Sequence, residues 1–315
     1  MKDYVKWADA GDRTLQPNLA QWEDQKVMSD DQQESRIFRR KAANRKLVAV
    51  HQPEPEKITE PVQKKTSAKP TVENLPVPLP EDWNRLHQVR PGVRKHILGN
   101  LPLISFFRDD PAARAFDLLR SRLLQGIKSK GWKRVAIAAP TKGCGATFTA
   151  VNLALSLARI PDSRVVLMDL NMRDPGVASA LDIHGHGDMH GFLRGDVPTV
   201  DHLVRVGDTL ALGLADSPDR FAAELLHGTG ATETLEAMVD TVHPDVVICD
   251  LPAVLSHDDF VACLAHVDCV LLVSDAEQTT AAQIAACEEV MGDQVGLLGV
   301  VLNRARRSSV EDYDS

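Results

Sequence analysis

The chain has 315 residues, a length that fits one or two domains. Its hydrophobic content of 43% suffices for a globular core, and its formal net charge of -8 argues against a general nucleic-acid binder. No apolar run reaches the ~18 residues of a membrane span, and residues 1–13 lack the apolar core of a signal peptide.

Residues 1–105 read as a flexible N-terminal arm with a Pro-rich linker. Within it, residues 19–50 carry a helix-like pattern ending in a basic cluster (Arg39, Arg40, Lys41, Arg45, Lys46), the mark of a solvated face or of a contact with an anionic surface. Seven prolines fall among charged and polar residues over 51–80, a composition that stays extended and buries little. The folded region is expected from 106 to 306, with 307–315 as an acidic tail. Pro111 opens a helix on which Phe116, Leu119, Leu123 and Ile127 share one face.

Short, nearly continuous apolar runs follow at 135–139, 165–168, 210–214, 246–249, 269–273 and 297–302, with helical patterns between them. That alternation predicts an α/β fold, a doubly wound and mainly parallel sheet flanked by helices. Such sheets bind ligands at the carboxyl ends of their strands. The polar residues expected there are Asp169, Asp250 and the glycine-rich stretch after the first run, Thr141-Lys142-Gly143-Cys144-Gly145-Ala146-Thr147-Phe148. Strand, Gly-rich loop and helix make a phosphate-binding layout, because converging N–H groups and a helix N-terminus favour an anion. Thr147 stands where a hydroxyl would hold Mg²⁺, and Asp169 and Asp250 are its expected acidic partners. A strand-end Asp can equally cap a turn. The position of the usual phosphate lysine is Ala146, and Lys142 is the candidate stand-in. The five cysteines stand singly with no CxxC pair, as reduced thiols of a cytoplasmic protein do. The histidines of 184–190 match no standard metal spacing and read as a surface loop.

Residues 111–306 resemble the bacterial tyrosine kinases of polysaccharide export (BY-kinases), within the Min/Par-type P-loop ATPases. The likeness rests on APTKGCGATFTAVNLALSLA, VVLMDLNMRDPGV, VVICDLPAV, ADSPDRFAAELL and GVVLNR, in that order. It implies a P-loop NTPase-like fold and ATP or ADP with Mg²⁺ as cofactor. By the same resemblance Lys142, Gly143, Cys144, Gly145, Ala146, Thr147, Phe148, Arg173 and Asn303 are nucleotide-binding positions; Asn303 matches an Asn that contacts adenine. Thr147, Asp169 and Asp250 are the metal positions, and Asp169 and Asp250 the catalytic ones.

The departures from the family fall on its chemistry. Ala146 replaces the lysine, Asn171 the second Asp of D-x-D-x-R, and Ala253 the last Pro of the second acidic strand motif. Arg114, Asp117 and Arg120 stand where the family has its oligomerisation helix, so a homo-oligomer stays open. Tyr313 is the single tyrosine where relatives carry a phosphorylated cluster. The reading that results is a cytoplasmic accessory or regulatory protein of exopolysaccharide or capsule biosynthesis with impaired, weak or lost ATP chemistry. It would meet the inner membrane through a separate membrane polysaccharide co-polymerase or chain-length regulator, or assemble with a kinase paralogue, and would bind no nucleic acid. The alternatives are an active tyrosine autokinase using Lys142 and Tyr313, and a Min/Par-type positioning ATPase. Thr141 occupies the signature lysine position of the latter class.

Overall fold

The computed structural model describes residues 7–9, 81–92 and 111–305. The basic cluster of the arm, the prolines of 51–80 and Tyr313 lie outside the described residues.

The described residues form one nine-stranded sheet. Its strands are β1 (Trp7–Asp9), β2 (His87–Val89), β3 (Arg134–Ala138), β4 (Val165–Asp169), β5 (Val204–Val206), β6 (Leu210–Gly213), β7 (Val246–Asp250), β8 (Cys269–Asp275) and β9 (Gly296–Asn303). The spatial order is β1-β9-β8-β3-β7-β4-β6-β5-β2. From β9 to β6 every pairing is parallel, while β1 joins β9 and β5 joins β6 antiparallel. This is the mainly parallel α/β fold that the alternating runs predict, with the P-loop NTPase-like layout that the resemblance implies.

Parallel strands need crossovers, and the helices supply them. They are α1 (Glu81–Arg85), α2 (Pro111–Lys130), α3 (Ala146–Leu157), α4 (Val177–Leu181), α5 (Met189–Leu193), α6 (Thr199–His202), α7 (Ala222–Leu226), α8 (Thr229–Val242), α9 (Asp259–Cys263) and α10 (Ala281–Met291). Side chains alternate across a strand, so β3 feeds both layers. Val135 and Ile137 join one core with Phe116, Leu119 and Leu123 of α2, and Ala136 and Ala138 join the other with Leu235 and Met238 of α8. The connection from β3 to β4 passes beyond β7, whereas β8 and β9 lie on the other side of β3. The sheet therefore reverses its winding beside β3, and the loop after β3 sits at that crevice.

Two findings change the sequence picture. Residues 81–92, assigned to the flexible arm, belong to the fold. Trp83 and Leu86 are buried in the core, and Trp83 Nε1 donates to the carbonyl of Asp208 at 2.9 Å. One aromatic residue in a polar stretch gives no periodicity to read, so the boundary drawn at 105 leaves this packed segment in the arm. The charges expected for an oligomerisation helix are also partly engaged within the chain. Arg120 donates to the Ser156 carbonyl at 2.8 Å, Asp117 accepts from Ser156 Oγ at 2.8 Å and pairs with Arg159, while Arg114 is exposed. All five cysteines are buried and unbridged, and burial pushes the Cys249, Cys269 and Cys287 thiols up to about 12. Among the described residues no helix is long and apolar enough to cross a membrane.

Replacing Trp83 with Ala removes a fully buried ring and strands the Asp208 carbonyl, and should cost about 3–5 kcal/mol in urea unfolding. An unchanged midpoint would mean that residues 81–92 do not belong to the cooperative unit.

Candidate functional site: a nucleotide cleft at the sheet crevice

The loop between β3 and α3 owes its shape to two glycines. Gly143 has φ 87° and Gly145 φ 101°, both left-handed, where glycine carries no steric cost. A Cβ on Gly145 would also run into the amide of Asn303. Gly145 occupies the N-cap of α3 with no side-chain cap. The first N–H groups of a helix lack intrahelical partners, so this end presents donors and partial positive charge to an anion.

The loop lines a cleft of about 660 Å³. All nine residues named from the sequence as nucleotide-binding border it: Lys142, Gly143, Cys144, Gly145, Ala146, Thr147, Phe148, Arg173 and Asn303. They come from three parts of the chain. Asn303 ends β9 and donates from Nδ2 to the Cys144 carbonyl at 2.9 Å, tying the far strand to the loop. Phe148 also packs edge-on against Phe116, 5.7 Å between centroids, so its ring serves the core as well.

Asp169 and Asp250 end adjacent parallel strands in register, and both are fully buried beneath the cleft. Asp250 Oδ2 accepts from Thr147 Oγ1 at 2.6 Å. Asp169 Oδ2 accepts from the N–H groups of Gly176 and Val177, each at 3.0 Å, and so also caps the turn into α4. Oδ1 of each carboxyl is buried with no hydrogen-bond partner. Burial raises both acids: Asp169 to about 7, and Asp250 well above the carboxylate range, with the Asp169 charge adding to the rise.

These residues fit a divalent cation. Thr147 gives its proton to Asp250, which leaves its oxygen lone pairs for a metal, and two orphaned acidic oxygens lie behind it. A bound Mg²⁺ would offset the buried negative charge and neutralise phosphate oxygens. Among the described residues there is no group of three or more His, Cys, Asp or Glu side chains placed to hold a metal. The histidine loop is engaged otherwise: His190 with Asp219 at 2.6 Å, His184 with Asp182 at 3.1 Å, and His186 beside His87.

Among the described residues, the lysine and the two arginines that border the cleft are all paired. Arg173 makes a two-pronged bond to Asp259, at 2.7 and 2.9 Å. Arg304 reaches Asp275 at 2.6 Å, and Lys142 reaches Asp174 at 2.9 Å. Sequence reasoning did not single out these three partner acids. Asp275 ends β8 much as Asp169 and Asp250 end their strands, a signal visible in the sequence. Asp259 lies 86 positions from Arg173 and has no such signature.

No family model matches the chain. It is 28% identical over 213 residues to EpsB of Ralstonia nicotianae, a protein assigned as a tyrosine-protein kinase, covering 66% of this chain and 28% of that one. It is 31% identical over 177 residues to the chromosome-partitioning ATPase Soj of Thermus thermophilus, covering 54% of this chain and 68% of Soj. The chain thus spans little more than a quarter of the length of the curated kinase it matches. In structure it is similar to the kinase domain of the Escherichia coli tyrosine kinase ETK, with a TM-score of 0.60 at 21% identity over 69% of this chain and 86% of that one. The chain belongs to the Min/Par-type P-loop ATPases, and its domain has the fold of the bacterial tyrosine-kinase domains within them.

The buried carboxyls have a stability consequence. A carboxyl whose folded value lies above the unfolded 3.8 stabilises below 3.8, and this contribution is lost as pH rises, for Asp169 through about 7. Asp250→Asn keeps an acceptor for Thr147 and cannot ionise. In metal-free buffer it should raise the melting temperature, and more at pH 8 than at pH 5. A gain that does not depend on pH, or a loss, would contradict the electrostatic account.

Proposed function

We propose that this chain is an accessory, regulatory protein of exopolysaccharide or capsule biosynthesis and export. In this reading it keeps the nucleotide cleft of a tyrosine-kinase-like domain while its ATP chemistry is impaired. The observation that carries the reading is electrostatic. Ala146 stands where the loop lysine is expected, and Lys142, Arg173 and Arg304, the lysine and arginines that border the cleft among the described residues, are each already bonded to a carboxylate. A cation aimed at developing phosphate charge is commonly worth about 3 kcal/mol in the transition state, a hundredfold in rate. What remains for phosphates is the backbone of the loop, the α3 terminus and Mg²⁺ on Thr147. That set supports weak binding of MgADP or MgATP and poor transfer.

The likeness to EpsB supports the tyrosine-kinase-like part of the reading, and the resemblance of the motifs to the BY-kinases suggests a role in polysaccharide assembly. In such a role the chain works by binding, at the inner membrane, to a separate polysaccharide co-polymerase or chain-length regulator, or to a kinase paralogue. Affinity capture that recovers envelope polysaccharide proteins would support it, and capture that recovers none would count against it. The likeness to Soj favours a second reading, a positioning ATPase. Thr141 at the signature lysine position weighs against it.

Calorimetric titration with MgADP tests the cleft directly. Wild type should bind in the high-micromolar to millimolar range, and Ala146→Lys at least about tenfold more tightly. Low-micromolar binding by wild type, with no gain in the variant, would mean that the lysine is not missed.

A further inference from the structure

The three ion pairs around the cleft are not equivalent. Asp259 and Asp275, the partners of Arg173 and Arg304, have side chains only 2% and 1% exposed. Pulling either arginine toward a ligand would strand a buried carboxylate, a costly move. Lys142 and Asp174 are each 63% exposed. Breaking this pair returns two charges to water and strands nothing, and exposed pairs of this kind add little to stability. Among the lysines and arginines bordering the cleft, Lys142 is therefore the one that can be released.

Its partner is held by a tight turn. The Asp174 N–H donates to the Asn171 carbonyl at 3.0 Å, and Asn171 Nδ2 donates back to the Asp174 carbonyl at 2.9 Å. An aspartate at 171 could not make the second bond, because a carboxylate has no proton to donate. The amide at this position thus fixes the turn that carries the Asp174 carboxylate to Lys142. The residue that replaces a family carboxylate and the candidate stand-in lysine belong to one connected unit.

We propose that Asp174 is a latch on Lys142, set in place by Asn171, and that the affinity of the cleft for a nucleoside diphosphate is governed by competition between this carboxylate and the ligand phosphates for one ammonium group. The proposal rests on the nucleotide-site reading and adds the residue that regulates it. Because the pair is exposed, the competition weakens as salt screens it.

The test is MgADP titration of the full chain as wild type, Asp174→Asn, Lys142→Met and the double variant, with Ala146→Lys as reference. Asp174→Asn should tighten binding about three- to fivefold at low salt, the scale of an exposed ion pair, and less at high salt. Lys142→Met should cost more in the Asp174→Asn background than in wild type, and the double variant should lose the gain. Equal affinity of Asp174→Asn and wild type overturns the latch. A gain that survives in the double variant also overturns it, since Asp174 would then act only as a like charge against the phosphates. If wild type and Ala146→Lys bind while Asp174→Asn gains nothing, the latch alone fails. If none of the chains binds MgADP, the nucleotide reading fails and the latch with it.

Discussion

Two carboxyls placed side by side in a dry layer are the constraint around which the site is built. Asp169 and Asp250 end neighbouring parallel strands in register, and no water-facing surface relieves them. A protein that only needed to end two strands could have used Asn or Thr there at lower cost, because burying a charge is expensive unless it is paired. One oxygen of each carboxyl is satisfied, by the Thr147 hydroxyl or by backbone N–H groups, and the other has no hydrogen-bond partner of good geometry among the described residues. The two unpartnered oxygens and the Thr147 hydroxyl are donors of the kind a divalent cation would accept. That role explains why Thr147 is held where it is and why the loop arches directly above.

The cleft above this pair has a different economy of charge. Among the described residues, each lysine and arginine that borders it is matched by an acid. Two of the matches rest on buried carboxylates and act as struts: Arg173 joins the 171–176 turn to α9, and Arg304 joins the end of β9 to the end of β8. The third lies on the surface and is reversible. Neither strut involves the residue at position 146, so the architecture of the cleft does not depend on which side chain stands there.

Much of this was legible in the sequence because it is written in local patterns. Buried parallel strands read as short apolar runs, and the six runs coincide with β3, β4, β6, β7, β8 and β9. The loop announced itself through Gly143 and Gly145, whose left-handed conformations need that residue. The acids ending β4 and β7 marked the floor of the site. What escaped depends on contacts across long stretches of chain. Trp83 carries no period, packs into a core built from distant elements, and bonds a carbonyl 125 positions away. The pairing of Arg173 with Asp259 and of Lys142 with Asp174 needs the tertiary fold before it can be seen, and it decides whether a cation in the motif is available to a ligand. The short strands β2 and β5 and the short helices α4 to α6 hold too few residues for a pattern to emerge.

The central question is whether the cleft, with its described lysine and arginines all paired, can still move a phosphate. The most direct measurement is MgATP turnover by the purified full-length chain, following phosphate release and phosphorylation of Tyr313 by mass spectrometry beside Ala146→Lys. The account predicts no phosphate on Tyr313 and no release above background in wild type, with measurable release in the variant. Phosphorylated Tyr313 in wild type that disappears in Lys142→Met would contradict it and would make the chain an active kinase that draws its cation from Lys142.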